Sequence, residues 1–300
     1  MKPILSICVV TMNRAEQLRC AIESCLRCNL PPKTEFVVID NASDDHTEAV
    51  VKEISEGSEF VFKYEKLSEN IGAGRGRNLA FEKAIGKYVY SLDDDAYIPE
   101  EFYGSFFIDS LKVLENDPTI IALTTQIFDN AWNCNRVKTF GTEISNGVYS
   151  VPSMCEGSNF LRKDFFESVP YFPNVYGYEG LPPVLMIYDS GNKNCFYDKV
   201  TAIHNPLINK WDGTEKNKRI LVLECAVPYA IKRKMYPCIF AGVLWLVYKL
   251  RCRKHLRKLS DSSEELRLAI KETKNAASHL KRIKFKTVWN LYKEFGKTVF

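Results

Sequence analysis

Three consecutive aspartates, Asp93, Asp94 and Asp95, directly follow the apolar run Lys87–Leu92, which predicts a buried strand. Adjacent carboxylates repel one another unless a cation or bound hydroxyl groups offset their charge. Hard divalent ions such as Mg²⁺ and Mn²⁺ take oxygen ligands, often one or two carboxylates together with the phosphate oxygens of a substrate. A solvated acidic turn is the ordinary alternative, so the triplet alone leaves both interpretations open.

Two other polar clusters also follow predicted strands. Thr11-Met12-Asn13-Arg14 comes after the β-branched run Ile4–Val10, and Asp40-Asn41 closes the run Glu35–Asp40. Ligands of parallel sheets bind beyond the carboxyl ends of the strands. We therefore expect all three clusters to meet at one rim of a sheet, which favours a functional site over three unrelated turns.

Asp40 closes a strand that is predicted to be buried, where a carboxylate is costly unless hydrogen-bond donors use its oxygens. A base N–H or a ribose hydroxyl would be such a donor. The ordinary alternative is the N-cap of the following helix, although Ser43 and Asp44 are better placed for that role.

A glycine-rich segment, residues 72–78, opens a predicted helix and includes Arg75 and Arg77. Glycines let a backbone approach a ligand, and a helix N-terminus with a nearby arginine suits a diphosphate. An ordinary glycine-rich turn explains the same residues equally well.

Two later residues have side chains capable of chemistry. Glu179 lies in the segment Tyr176–Gly180 among aromatic residues and glycines, where a merely solvated glutamate is the ordinary expectation. His204 ends the predicted strand Phe196–His204, and it fits either a metal ligand or a strand end.

Strands alternating with helices through the first hundred residues predict an α/β fold with a mostly parallel sheet. The predicted strands are Ile4–Val10, Glu35–Asp40, Phe60–Tyr64 and Lys87–Leu92, and the predicted helices are Arg14–Cys28, Thr47–Ser55 and Ala73–Ile85. Further along, the patterns predict strands over Ile120–Phe128 and Val137–Val151, a helix over Ser158–Val169, a loop over Tyr171–Tyr188, and helices from Glu215, including one from Ser260 to about Lys284.

Charge is distributed unevenly along the 300 residues, although the whole chain carries only +4. Residues 231–300 hold 18 Lys and Arg against 5 Asp and Glu, whereas residues 1–230 hold 23 against 32. A basic tail on an acidic body suggests contact with a polyanion. We expect no nucleic acid, because the tail lacks the interleaved aromatic and basic residues that stack on bases.

A peripheral membrane surface is the favoured partner of this tail. Residues 239–250 supply apolar contact, and the cations are Lys249, Arg251, Arg253, Lys254, Arg257 and Lys258. The alternatives are packing on the acidic body or in a dimer. The run Pro237–Val247 is too short to cross a bilayer and no secretory signal is present. We therefore expect a cytoplasmic protein, peripheral at the inner face of the membrane, whose ten scattered cysteines stay reduced.

Four ordered segments, Leu5–Arg14, Val37–Ser43, Glu69–Asn78 and Leu92–Asp95, resemble those of the family 2 glycosyltransferases of GT-A fold. The resemblance is strong over residues 3–115 and moderate to about 210. It implies a Rossmann-like, mostly parallel sheet flanked by helices over residues 1–212, with a nucleotide-sugar half (1–115) and an acceptor half (116–212). Residues 213–300 would form a basic helical extension.

The resemblance also implies roles for individual residues. Thr11, Asn13 and Arg14 would line the nucleotide pocket, Asp40 would bind the base, and Arg77 would lie beside the diphosphate. Asp93 and Asp94 would hold the ribose and help to place a divalent metal (Mn or Mg), with Asp95 and His204 as its ligands. Glu179 would be the catalytic base, but Gly180 replaces the second acid of the family's pair, and Pro182-Pro183 would break the helix that usually follows. Asp189 is an alternative base.

The implied activity is transfer of a sugar, of the hexosyl type, from a nucleotide-diphosphate sugar to a hydroxyl of a glycan or lipid-linked acceptor. The transfer would be metal-assisted and inverting, and would serve bacterial surface polysaccharide synthesis. Two alternatives remain open from the sequence: a nucleotidyltransferase, which uses carboxylates and Mg²⁺ on similar sheets, and a catalytically impaired sugar- or partner-binding module of the same fold.

Overall fold

The structure is a computed structural model that describes residues 3–138, 140–173, 177–206, 215–256 and 262–300. The strands are β1 (Leu5–Thr11), β2 (Glu35–Asp40), β3 (Val61–Lys66), β4 (Tyr88–Asp93), β5 (Ala96–Tyr97), β6 (Ile120–Asp129), β7 (Cys134–Asn135), β8 (Glu143–Ser145), β9 (Val148–Ser150), β10 (Ser158–Arg162) and β11 (Lys193–His204). The helices are α1 (Ala15–Leu26), α2 (Thr47–Glu56), α3 (Ala73–Lys83), α4 (Phe106–Asn116), α5 (Lys163–Ser168), α6 (Leu181–Asp189), α7 (Glu215–Met235), α8 (Ala241–His255), α9 (Ser262–Ala276) and α10 (Phe285–Phe295).

One sheet of mostly parallel strands organises the chain, in the order β3-β2-β1-β4-β10-β6-β11-β9-β8. The first four of these strands run parallel to their neighbours, and β6 runs parallel to β11. Residues of β1 and β2 are buried almost without interruption, as expected for strands covered by helices on both faces. The predicted α/β class and the first seven predicted elements are confirmed.

Alternate residues of β1 face opposite layers of helices. Ile7 and Val9 belong to the core that α1 and α2 cover, whereas Cys8 belongs to the core beneath α3, α5 and α6. A Cβ atom on Gly76 would lie 2.7 Å from the Val10 side chain, so this glycine lets α3 pack closely on β1.

The predicted helix over Ser158–Val169 is wrong in its first half, because Ser158–Arg162 forms β10, antiparallel to both β4 and β6. The buried polar side chains of this strand are satisfied across the sheet. The Ser158 hydroxyl lies 2.7 Å from the Tyr90 hydroxyl and 2.6 Å from the Thr125 hydroxyl. These partners are distant in sequence, so the local pattern carried no sign of them.

The predicted loop over Tyr171–Tyr188 is wrong only in its second part, since α6 begins at Leu181. Pro182 and Pro183 occupy its first turn, where the missing N–H groups have no helical partner in any case. These prolines start the helix that the sequence pattern suggested they would break.

The C-terminal helices pack on α6. Val227 and Ile231 of α7 share an apolar core with Leu185 of α6 and with Val288 and Leu291 of α10. Helices are confirmed here, with α9 covering Ser262–Ala276 of the longer predicted helix. The predicted domain boundary at 212/213 lies outside the described residues.

Two further observations concern the predicted cellular setting. Among the described residues, none of the helices combines the length and the apolar character needed to traverse a bilayer. All ten cysteines are free.

Candidate active site

The register of the central strands aligns the three polar clusters at one edge of the sheet. Thr11 pairs with Asp40 on β2, and Val10 pairs with Asp93 on β4. The loops that follow β1, β2 and β4 therefore begin side by side, as the sequence predicted.

Asn13 ties the first two of these loops together. Its backbone is left-handed, with φ 54°, a conformation that asparagine tolerates better than most residues. The Asn13 N–H donates to the Ser43 hydroxyl at 2.9 Å, and the Asp44 N–H donates to the Asn13 side-chain oxygen at 2.8 Å. The Thr11 hydroxyl is buried nearby and faces the Asp94 carboxylate.

Asp40 is fully buried, and both of its carboxylate oxygens already accept hydrogen bonds. The Ser43 N–H donates to Oδ1 at 2.7 Å, and the Tyr64 hydroxyl donates to Oδ2 at 2.6 Å. Burial, together with the Asp40 carboxylate, raises the pKa of Tyr64 above its ordinary value. A nucleotide base would reach Asp40 only after Tyr64 moved, so base recognition by Asp40 stays a prediction.

Arg14 neutralises part of the aspartate triplet. Its Nη1 lies 2.8 Å from Oδ1 of Asp94 and 2.7 Å from Oδ2 of Asp95. Burial raises the pKa of Asp94 to about 6; Arg14 opposes this rise, and the charge of Asp95 adds to it. Arg14 and Asp94 therefore form a charged pair beside the candidate donor pocket.

Asp93, Asp95 and His204 form a candidate metal site, with one potential ligand atom from each lying within 4.8 Å of the others. Nε2 of His204 lies 3.2 Å from Oδ1 of Asp95, and Nδ1 lies 3.0 Å from Oδ2 of Asp129. A carboxylate behind Nδ1 is the usual way in which proteins orient a metal-binding imidazole. Two carboxylates and one imidazole fit a divalent ion.

Arg136 lies against this cluster, and the sequence pattern did not indicate it. Its Nη2 is 3.0 Å from Oδ2 of Asp129 and 3.0 Å from Nε2 of His204. Burial opposes the guanidinium charge, but Asp93 and Asp129 outweigh it and raise the pKa of Arg136. An ion bound to Nε2 of His204 would displace this guanidinium contact.

Arg77 connects the candidate metal site to Glu179. From α3, its Nη2 lies 2.7 Å from Oδ1 of Asp93, and its side chain is 13% exposed. Burial lowers the pKa of Arg77, but the carboxylates of Asp93, Glu179 and Glu156 together raise it above the ordinary value. A buried cation thus lies among three carboxylates, whose negative charge it offsets.

Glu179 is buried at the start of α6, in a turn with unusual backbone geometry. Gly177 and Tyr178 both have positive φ angles, 71° and 62°, and such a conformation is strained for a tyrosine. The Gly177 N–H donates to Oε1 of Glu179 at 3.0 Å. Tyr176, which belongs to the predicted segment, lies outside the described residues.

Asp189, the alternative base, has a structural role in this fold. Its Oδ1 accepts hydrogen bonds from the Lys284 N–H at 2.7 Å and from the Thr287 hydroxyl at 2.6 Å. This carboxylate holds the start of α10, and its role as an alternative base stays a prediction.

The sequence model described as "Glycosyl transferase family 2" matches residues 6–169, more than half of the chain. This chain belongs to glycosyl transferase family 2. Membership disfavours nucleotidyl transfer.

Individual relatives place the chain within this family. An uncharacterized glycosyltransferase of Methanocaldococcus jannaschii is 30% identical over 144 residues, which are 47% of this chain and 48% of the relative. The poly(ribitol-phosphate) beta-N-acetylglucosaminyltransferase TarS of Staphylococcus aureus is 33% identical over 99 residues, 32% of this chain and 17% of TarS. The chain spans about half the length of these curated relatives, or less.

Solved structures confirm the GT-A fold. TarS 1–349 in complex with UDP-GlcNAc superposes with a TM-score of 0.60 at 16% identity, covering 95% of this chain and 83% of that one. GalNAc-T7 with UDP, GalNAc and Mn²⁺ superposes with a TM-score of 0.65 at 16% identity, covering 98% of this chain and 57% of that one.

Three further residues of this family 2 site were not found from the sequence. Asp129 carried a usable signal, because it directly follows the predicted strand Ile120–Phe128. Arg136 and Glu156 carried none, since both lie in irregular segments. These two line a cavity of about 260 Å³ together with Lys138, Ser153 and Cys155. Arg136 joins the lining of this cavity to the candidate metal site, because it also contacts His204.

Proposed function

We propose that this chain transfers a sugar, of the hexosyl type, from a nucleotide-diphosphate sugar to a hydroxyl of a glycan or lipid-linked acceptor, with inversion at the anomeric carbon. The observation that carries the proposal is the convergence of Asp93, Asp95 and His204 at the ends of the strands. Arg77 pairs with Asp93 and lies within electrostatic range of the buried carboxylate of Glu179. A family 2 chain needs these two halves, a charge-neutralising donor site and a base, close together.

The donor half would hold the nucleotide and its diphosphate. Asp93, Asp95 and His204 would bind a divalent ion, Mn²⁺ or Mg²⁺, which supplies positive charge to the leaving diphosphate when bound. The imidazole ligand favours Mn²⁺ over Mg²⁺. Arg77 adds a fixed positive charge that needs no reorganisation during the reaction. The remaining donor contacts are Thr11, Asn13, Arg14, Asp40 and Asp94.

The acceptor half would activate the attacking hydroxyl. Glu179 takes the proton of the acceptor hydroxyl as its oxygen bonds to the anomeric carbon, while the bond from that carbon to the diphosphate breaks. Attack on the face opposite the leaving group inverts the configuration. The burial of Glu179 keeps competing water away from this carboxylate.

The names of the relatives support a carbohydrate acceptor of the cell surface. TarS is named for transfer of N-acetylglucosamine to poly(ribitol-phosphate), and we propose a comparable role in surface polysaccharide synthesis for this chain. The sugar and the linkage are matters for assay.

The direct test is to incubate the protein with Mn²⁺ and a panel of UDP-GlcNAc, UDP-glucose, UDP-galactose and GDP-mannose. We expect release of a nucleoside diphosphate from one member of the panel, and loss of this release with EDTA. Release of sugar phosphate with transfer of the nucleotide would instead show a nucleotidyltransferase. Donor binding without any release, with or without added glycan acceptors, would show a binding module.

We also propose that the C-terminal extension binds an anionic membrane surface. Its helices expose large apolar side chains that form a C-terminal apolar surface: Ile239, Val243, Trp245, Leu246, Leu250, Phe285, Trp289 and Tyr292. On α8, the spacing of Val243, Leu246 and Leu250 places them on one face. Phe240 stacks on Phe285 with their ring centroids 5.4 Å apart, which joins this face to α10.

Cations border the C-terminal apolar surface. Lys249 lies over the Trp245 ring at 5.7 Å, and Lys293 lies over the Trp289 ring at 5.8 Å. Lys249 also lines a groove of about 480 Å³ whose other cations are Arg267, Lys271 and Lys274. Basic and aromatic side chains side by side suit the boundary between headgroups and acyl chains of anionic lipid.

The structure changes the set of cations assigned to this surface. Arg251 is half-buried and directs Nη1 to the Tyr178 hydroxyl at 3.5 Å, so it contacts the Glu179 segment instead of solvent. Arg257 and Lys258 lie outside the described residues, whereas Arg253 and Lys254 are exposed.

A variant with both Trp245→Ser and Trp289→Ser should bind vesicles containing phosphatidylglycerol about tenfold more weakly than the unmodified protein, because two interfacial anchors are lost. Flotation with and without phosphatidylglycerol measures this, and high salt should weaken binding of both proteins. Trp132→Ser is the matched control, since Trp132 is 46% exposed outside the extension. Equal binding to neutral phosphatidylcholine vesicles, or no binding at low salt, would contradict the proposal.

A further inference from the structure

Glu156 lies where the family 2 pattern leaves a gap after Glu179. The residue after Glu179 is Gly180, and its N–H donates to Oε1 of Glu156 at 3.0 Å. A Cβ atom at position 180 would lie 2.9 Å from that same oxygen and 3.2 Å from Cβ of Met154. Glycine at position 180 therefore makes the space that the Glu156 carboxylate occupies.

The surroundings of Glu156 place it with the reacting groups. It lines the 260 Å³ cavity together with Arg136, which contacts His204. The charged and titratable groups around it are Glu179, Arg77 of α3, Tyr171, Tyr178 and Cys155, together with Arg136 and Lys138, which line the same cavity. Arg77 faces both glutamates and is already paired with Asp93.

Resting on the proposed glycosyl transfer, we infer that Glu156 is the second acid of this active site: a positioning residue that holds the Glu179 segment through the Gly180 N–H and adds its negative charge beside the base. The carboxyl group that the family usually places next to the base along the chain comes here from a different loop, between β9 and β10. Glycine at position 180 and glutamate at position 156 are therefore two parts of one arrangement.

The role follows from simple chemistry. During transfer, the acceptor hydroxyl loses its proton to Glu179, its oxygen bonds to the anomeric carbon, and the diphosphate departs with the bonding electrons. An ionised Glu156 makes transfer of this proton to Glu179 more favourable. Two adjacent carboxylates are more stable with one proton between them than with both ionised. The contact with the Gly180 N–H also fixes where Glu179 lies, and small displacements of such a group slow reactions strongly.

The charge on Glu156 is expected to change near neutral pH. Burial, followed by the charge of Glu179, raises the pKa of Glu156 to about 7, although Arg77 and the Gly180 N–H oppose the rise. Below this pH Glu156 carries a proton; above it, the second negative charge is present. We therefore expect kcat to rise with pH as it passes through about 7.

Glu156→Ala should lower kcat for the best donor of the panel about 100-fold while leaving the donor KM unchanged, because the base is misplaced and the donor site is intact. Glu156→Gln keeps an oxygen that accepts the Gly180 N–H, so its rate at pH 7 should stay within about threefold of the unmodified protein. The rise of kcat near pH 7 should be absent from Glu156→Gln.

Gly180→Ala provides an independent check on the same contact. It should resemble Glu156→Ala, and the double variant should be no slower than either single variant, since one interaction is lost in all three. Glu143 supplies the matched control: its carboxylate likewise accepts a glycine N–H, that of Gly147 at 3.1 Å. Glu143→Ala and Glu143→Gln should leave kcat and its pH dependence unchanged.

The inference is overturned by any of three results. Glu156→Ala is as fast as Glu143→Ala, the losses of kcat in Glu156→Ala and Gly180→Ala multiply in the double variant, or the rise of kcat near pH 7 persists in Glu156→Gln. Failure of the proposed function looks different: the unmodified protein releases no nucleoside diphosphate, or Glu179→Gln is fully active. In that case ¹³C NMR of carboxyl-labelled glutamate decides. A carboxyl resonance that titrates near pH 7 in the unmodified protein and in Glu143→Gln, but is missing from Glu156→Gln, supports the inference. If the unmodified protein has no such resonance, the inference is refuted.

Discussion

Asp95→Ala is expected to lower metal-dependent donor turnover about 10³-fold, because Asp95 supplies one of three candidate ligand atoms and also pairs with Arg14. Its carboxylate is buried, and the His204 hydrogen bond with the charges of His204, Arg14 and Arg136 lowers its pKa despite that burial. It therefore stays ionised and available to a cation throughout the working pH range. Turnover with increasing Mn²⁺, and Mn²⁺ binding by electron paramagnetic resonance, measure the two consequences.

Asp94→Ala is the matched control for this experiment. Asp94 shares the Arg14 ion pair with Asp95 but is not one of the three clustered ligands. Asp94→Ala should therefore keep its affinity for Mn²⁺, whereas Asp95→Ala should lose most of it. Equal Mn²⁺ affinity in Asp95→Ala and the unmodified protein would remove Asp95 from the metal site.

Glu179→Gln is expected to lower kcat by about 10²- to 10⁴-fold, since glutamine has nearly the same shape but cannot take the acceptor proton. Donor affinity should be unchanged, because Glu179 faces the donor half only through Arg77. Steady-state kinetics give kcat, and calorimetry with the nucleoside diphosphate and Mn²⁺ gives the affinity. The melting temperature should also hold, because the amide oxygen still accepts the Gly177 N–H.

Asp189→Asn separates this base from the alternative one. The amide oxygen of asparagine still accepts from the Lys284 N–H and the Thr287 hydroxyl, so this variant should keep both its melting temperature and its kcat. If a variant at Asp189 lost glycosyl transfer at an unchanged melting temperature while Glu179→Gln stayed active, Asp189 would be the base instead of Glu179.

Much of the donor half follows from the sequence for a local reason. β1, β2 and β4 are nearly continuous buried runs, and each ends in the polar residues that meet at the rim, so periodicity alone locates Thr11, Asp40 and Asp93. The glycines before Arg77 similarly mark the start of α3. In such units, the chain order of strand, polar loop and helix also sets the spatial order.

The aspartate triplet shows where this local information stops. The local pattern identifies three carboxylates at a strand end without distinguishing among them; the resemblance assigns Asp95 to the metal and Asp93 and Asp94 to the donor. The fold adds the long-range partners, because β11 brings His204 next to Asp95, β6 brings Asp129 behind His204, and Arg14 pairs with both Asp94 and Asp95. These contacts join residues that are far apart in the chain, so no pattern of neighbours encodes them.

The acceptor half depended still more on tertiary structure. The resemblance implied that Glu179 is the base and that the acid after it is missing, whereas the local pattern alone favoured a solvated glutamate. Packing alone decided three other features. Glu156 enters the space left by Gly180, Pro182 and Pro183 begin a helix, and Ser158 lies in a strand. Each of these features depends on contacts between residues that are far apart in the chain, such as the Gly180 N–H with Glu156 and the Ser158 hydroxyl with Tyr90.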